Sequence, residues 1–178
     1  MGELKSINRR TFVKRSAFGA LSIPLISTNP LLAFPPKSIK LTILHTNDMH
    51  SHIDPFSIND SKYPGMGGMR KMASIVKKIR KEEDHVLLLD AGDIFQGTPY
   101  FNKYKGEVEL KIMSEMGYTA STMGNHDFDN GINGFNDVLP YANFPFLCSN
   151  YDFSNTILDG KTKKFITKTI GELKVGLF

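Results

Sequence analysis

Three short apolar runs, each ending abruptly in a cluster of Asp, Asn and His, constrain this chain more than any other feature. Lys40–Thr46 leads into Asn47-Asp48-Met49-His50, Val86–Asp90 into Ala91-Gly92-Asp93, and Thr119–Met123 into Gly124-Asn125-His126-Asp127. The runs have the length of strands, and Val86-Leu-Leu-Leu has the continuous apolar character of a strand buried on both faces. Between the first two, Met69, Met72, Ala73, Val76 and Ile79 recur at helical spacing, with Lys71, Lys77, Lys78 and Arg80 on a face read as solvated. Between the second and third, Glu107–Met116 is read as a helix. Strands alternating with helices imply right-handed crossovers and a largely parallel sheet, an α/β fold. Further on, Ile132, Phe135, Leu139 and Ala142 mark another helix, stopped near Asn143; Phe144–Cys148 reads as a fourth strand. Lys164–Ile170 and Leu173–Phe178 read as a hairpin about Gly171-Glu172.

Composition removes several alternatives. Of 178 residues, 40% are hydrophobic and 22% charged, enough for a core and unlike a disordered tail. The single cysteine, Cys148, excludes an internal disulfide and a cysteine-built zinc finger, and is read as a small buried hydrophobe. The net charge of +4 resides in the first fifteen residues, and the remainder is formally balanced. No nucleic-acid polymer is therefore expected as a partner.

That basic segment, with Arg9-Arg10, Phe12 and Lys14 before an apolar stretch from Ser16 to Phe34, resembles a twin-arginine export signal. Residues 1–35 are accordingly read as a signal peptide with a cut near Ala33, and residues 36–178 as the working domain. Pro24, Pro30 and several polar residues argue against a stable membrane span. The expected location is exported and periplasmic.

The chemistry is expected where the three strand ends converge, because ligands of open α/β sheets sit beyond the carboxyl ends of the strands. Asp48 and His50, two apart, would lie on the same side of an extended backbone and reach one metal ion. Gly92 would let the chain turn and bring Asp93 forward as a candidate bridge between two cations. Asn125, after Gly124 in a similar turn, would bind the second ion through its carbonyl oxygen. Two divalent ions against two ligand carboxylates leave the site near +2, which suits a phosphate ester. Oxygen and nitrogen ligands suit zinc, manganese, iron or cobalt. His126, facing away from Asn125 on extended backbone, would contact the phosphoryl group or protonate the leaving oxygen, with Asp129 orienting its ring. His45 is read as a satisfied core histidine, and Met66, Met69 and Met72 as packing residues.

Ile43-Leu-His-Thr-Asn-Asp-Met-His50, Asp90-Ala-Gly-Asp-Ile-Phe-Gln-Gly97 and Gly124-Asn-His-Asp-Phe-Asp129 together resemble the calcineurin-like metallophosphoesterases, in the bacterial 5′-nucleotidase and UDP-sugar hydrolase branch. The resemblance covers about residues 39–178. It implies a four-layer α/β/β/α sandwich, incomplete here, with a dinuclear site. Asp48 and His50 would bind the first metal, Asp93 would bridge, and Asn125 would bind the second. His126 would stabilise the transition state with Asp129 as its partner. Such a protein would hydrolyse nucleotides or related phosphate esters with metal-activated water. The family completes its site with later histidines, and none follows His126 in this sequence. The chain is therefore expected to be a piece of the active enzyme, weak or inactive alone. A non-catalytic metal-binding remnant and a dimanganese sulfur-ester hydrolase are the alternatives. Oligomeric state stays open.

Overall fold

The computed structural model describes residues 38–178, of which Ile39–Phe178 forms one compact unit. The signal-peptide reading of residues 1–35, with its cut near Ala33, lies outside the described residues. Strand β1 (Thr42–Thr46), helix α1 (Met69–Glu82), strand β2 (Val86–Asp90), helices α2 (Pro99–Tyr104) and α3 (Glu107–Met116) and strand β3 (Ala120–Ser121) follow in order. The three strands form a parallel sheet in the order β1-β2-β3, with Thr42 opposite Val86 and Leu89 opposite Ala120. All three carboxyl ends therefore lie at one edge of the sheet. That arrangement is the α/β architecture expected from the alternation of strand and helix.

Helix α1 turns Met69 and Val76 into the core, as its spacing predicts. One of its charges has a fixed task. Arg80 donates to the carbonyls of Met116 and Gly117, satisfying acceptors that the end of α3 leaves open and placing a cation at its negative pole. Arg80 itself stays exposed, as the solvated-face reading expected, and these two hydrogen bonds are added to that role. Helix α2 is absent from the sequence reading; it is short, starts after Thr98 with Pro99 at its first turn, and carries only one buried apolar residue, Phe101.

The third and fourth strands are shorter than predicted. Only Ala120 and Ser121 pair with β2, and Phe144–Cys148 contributes isolated parallel bridges, Ser121 to Phe146 and Leu147 to Lys163. Helix α4 (Gly131–Val138) stops short of the expected end, because Pro140 lacks the N–H that a continuing α-helix needs; a 3₁₀ turn, Leu139–Tyr141, follows. The hairpin is present as antiparallel β4 (Ile166–Ile170) and β5 (Leu173–Leu177) about Gly171.

Aromatic rings dominate the core between sheet and helices. Phe135, 1% exposed, lies 5.0 Å from Phe146, 5.8 Å from Phe128 and 6.0 Å from Phe95, centre to centre. Cys148 is buried, and burial pushes its thiol up, so it behaves as the inert hydrophobe expected. Met66 and His45, read as packing and core residues, are exposed instead. His45 sits on the face of β1 opposite Leu44, which packs on the core. Glu109 is fully buried with neither carboxylate oxygen hydrogen-bonded, an opposing contribution within α3.

Phe135→Ala is expected to cost about 3–5 kcal/mol, because the surrounding rings cannot close the cavity. Ile132→Ala on the exposed side of the same helix should change stability by about 0.5 kcal/mol or less. Urea unfolding followed by circular dichroism checks both.

Candidate metal centre at the strand ends

The turn after β1 does not continue as extended chain. Asp48, His50 and Ser51 all take left-handed backbone angles, with φ of 49°, 45° and 54°. The strand-periodicity argument for Asp48 and His50 is therefore corrected: a tight turn, and not a two-residue repeat, brings the pair together. His50 Nε2 lies 3.9 Å from Asp48 Oδ1. Asp and His enter this region more readily than most residues, and hydrogen bonds from the next loop hold the turn there. Asp48 N–H donates to the Gly92 carbonyl, His50 N–H to that of Asp93, and Ser51 N–H to that of Ile94, at 3.0, 3.1 and 2.9 Å. The Asp48 carboxylate also accepts from the Asn47 side-chain amide.

The loops after β2 and β3 meet closely enough that glycine is required in both. A Cβ on Gly92, whose φ is +95°, would fall 2.5 Å from the Gly124 nitrogen. A Cβ on Gly124 would fall 2.1 Å from Asp93 Oδ1. Gly92 serves the turn that was expected, whereas Gly124 is needed for space. Asp93 itself is left-handed, at φ 54°.

Asp127 joins these loops, and sequence reasoning missed it. Its Oδ1 accepts from the N–H groups of Ile94 and Phe95 at 2.9 and 3.1 Å, and its Oδ2 from those of Asp93 and Gly124 at 3.0 and 2.8 Å. In return Asp93 Oδ1 accepts from His126 N–H at 2.9 Å. Asp127 is 1% exposed; burial raises its carboxyl to about 6, against the lowering by those hydrogen bonds. The one available signal was an Asp between two residues already singled out.

Asn125 and His126 do not lie on extended backbone. Asn125 is in the right-handed helical region and His126–Phe128 forms a 3₁₀ turn, so helical geometry separates their side chains. Asn125 is exposed, one residue from the His126 N–H that Asp93 holds. The His126 ring stands edge-on to that of His50, 5.1 Å between centres. His126 Nδ1 lies 2.9 Å from Asp129 Oδ2, and this hydrogen bond, with the charges of Asp129, Asp93 and Asp127, raises the imidazole above its ordinary value.

Asp48, His50 and Asp93 each offer a ligand atom, and these atoms lie within 4.8 Å of one another. Two carboxylates and an imidazole at that separation fit one divalent ion with positions left open. Among the described residues His45, His52 and His85 are not part of this group.

Beneath the turns lies a buried polar network. Asp90 Oδ2 accepts from Thr46 Oγ1 at 2.6 Å, and its Oδ1 from Gly92 N–H at 2.9 Å and Ser121 Oγ at 2.8 Å. Thr46 Oγ1 is 2.9 Å from the Tyr118 hydroxyl. Burial raises the Asp90 carboxyl, partly offset by these donors, and pushes the Tyr118 hydroxyl up to about 12.

Comparison with known proteins is consistent with this geometry. Residues 41–174 match the family model for calcineurin-like phosphoesterase. The snake venom 5′-nucleotidase of Gloydius brevicauda is 40% identical over 79% of this chain and 25% of its own length. The 5′-nucleotidase of Bos taurus is 41% identical over 78% and 25%. The crystal structure of a 5′-nucleotidase precursor from Thermus thermophilus superposes with a TM-score of 0.70 and 34% identity, covering 76% of this chain and 27% of that one. The chain spans about a quarter of the length of the curated relatives it matches.

Asp127→Ala strips four backbone N–H groups of their acceptor and should cost about 3 kcal/mol or more, with faster amide exchange at Asp93, Ile94 and Phe95. Tyr118 gives a pH dependence. Its folded hydroxyl ionises near 12 and its unfolded one near 10.0, so the folded state keeps the proton in that window. Its contribution is full below about pH 10 and is lost as pH rises through about 12. Denaturation midpoints measured across that window should fall less steeply for Tyr118→Phe.

Proposed function

The chain belongs to the calcineurin-like phosphoesterase family, and from that premise we propose that it carries the metal-binding part of a nucleotide phosphohydrolase. The observation that carries the reading is the convergence of Asp48, His50 and Asp93 within 4.8 Å. Asp48 and His50 would hold a first divalent ion, zinc, manganese, iron or cobalt. Asp93 would share it with a second, towards which Asn125 would offer its amide oxygen. A bound divalent ion supplies Lewis-acid polarisation of a phosphoryl oxygen and a nucleophile derived from water.

The chain's own groups then have distinct tasks. Asp129 anchors Nδ1 of His126, which leaves Nε2 to carry a proton towards the phosphoryl or leaving oxygen. The hydrogen bond to Asp129 raises the imidazole above its ordinary value and so strengthens its hold on the proton. Asp127 and the two close glycines fix the loops, so that Asp93 and His126 need no rearrangement to act together. The substrate would be a nucleotide phosphate ester, as the names of the 5′-nucleotidase relatives suggest. Export to the periplasm rests on residues 1–35 alone. Among the described residues no helix is long and apolar enough to cross a membrane.

Zinc or manganese titration of the 178-residue protein, paired with phosphate release from nucleoside monophosphates, tests the reading. Asp93→Ala should abolish binding of the ion pair; two ions still bound would remove the bridge. His126→Asn should keep the metal and lower any phosphate release about 10²–10⁴-fold. Unchanged turnover would take the histidine out of the reaction. Metal binding without phosphate release by the unaltered chain would support the non-catalytic metal-binding reading.

A further inference from the structure

We propose that Asp90 is a positioning residue, whose buried carboxylate ties the ends of β1, β2 and β3 to one point and thereby aims the Asp48–His50 and Asp93 turns at a shared cation. The proposal rests on the metal-site reading above. Asp90 is 6% exposed and lies outside the three-residue ligand group, so it does not itself hold the ion. Its neighbours Leu87 and Leu88 are apolar and buried, and a strand end among them has no intrinsic need of a charge. A carboxylate there is costly unless it is well hydrogen-bonded.

Each partner of Asp90 belongs to a different piece of the site. Thr46, on Oδ2, closes β1 two residues before Asp48. Gly92, on Oδ1, directly precedes Asp93 and makes the close approach to Gly124. Ser121, also on Oδ1, closes β3 three residues before Gly124. The network continues from Thr46 to the Tyr118 hydroxyl, which reaches the Met49 sulfur at 3.9 Å. Met49 stands between Asp48 and His50, so the turn is supported from beneath as well as from the neighbouring loop.

The three groups on Asp90 are all donors, so both its oxygens must accept. Asparagine would keep the shape and one accepting oxygen. Thr46 could still accept from the asparagine amide while donating to Tyr118. Alanine would lose all three contacts. The expected order of site integrity is therefore Asp90, then Asn, then Ala.

The test is Zn²⁺ titration by calorimetry on the 178-residue protein, with amide exchange of Gly92 and Asp93 followed in metal-free samples. Asp90→Ala should weaken Zn²⁺ binding about 10–100-fold and speed exchange at both amides. Asp90→Asn should recover most of the affinity. Val138→Ala, which thins the core on α4, should lower stability and leave Zn²⁺ affinity unchanged. Thr46→Val keeps the β-branched shape and removes one donor; it decides the matter if Asp90→Ala does not fold, and should weaken binding several-fold. Affinity within twofold of the unaltered protein in a folded Asp90→Ala, or in Thr46→Val where Asp90→Ala does not fold, overturns the proposal. So does an equal loss in Val138→Ala. If the unaltered protein binds no Zn²⁺, the metal-site reading itself fails and takes this proposal with it, an outcome separate from the other two.

Discussion

Two backbone turns that approach too closely for a side chain set the geometry of everything around them. Gly92 and Gly124 leave no space for a Cβ against each other's loops, and only their lack of side chains lets the loops after β2 and β3 meet this closely. Asp127 then fastens them by collecting four N–H groups on one carboxylate, while Asp93 accepts from the next loop in return. Hydrogen bonds of this kind contribute little each in net terms, but a buried donor left alone is expensive. The cluster is therefore close to all-or-none: each bond is present because removing it would strand a buried group.

Fixing the loops this way allows backbone that would otherwise be unfavourable. Asp48, His50, Ser51 and Asp93 are all left-handed, a state that costs on the order of 1–3 kcal/mol in sparsely populated cases and less for Asp and His. Backbone bonds from the first turn to the carbonyls of Gly92, Asp93 and Ile94 hold three of these residues. Three of these four residues, Asp48, His50 and Asp93, are the ones whose side chains converge; left-handed angles also occur at Gln96, Lys105 and Asn155, away from that group. The strands behind them remain regular and parallel.

How much of this the sequence displays follows from how local each determinant is. The strand Val86–Asp90 and helix Met69–Glu82 are legible because apolar spacing alone specifies them. The hairpin about Gly171 is legible for the same reason. Strand β3 is legible in its place but not in its length, which depends on how far β2 and the Phe146 segment run beside it. Residues 48, 50 and 93 are legible as a set from residue type and position after a strand. Their conformation is not, because left-handed angles come from long-range bonds between loops. Asp127 is hidden for the same reason, its partners lying more than thirty residues away in three of four cases. Arg80 shows the limit from the other side: its place on an exposed helix face is legible, but its bonds to the end of another helix are not.

Charge supplies the remaining link between fold and chemistry. Asp48, Asp90, Asp93, Asp127 and Asp129 are drawn towards one end of the sheet, and the charges of Asp93, Asp127 and Asp129 all raise His126. Without a compensating cation such a site would repel a phosphate ester. With one, the same carboxylates become a means of holding the cation. The carboxylates divide by burial. Asp90 and Asp127 are buried and spend their oxygens on backbone and hydroxyl donors, whereas Asp48 and Asp93 remain accessible enough to offer a ligand atom. A sequence motif shows only a run of acidic residues; the structure separates those that hold the loops from those free to meet an ion.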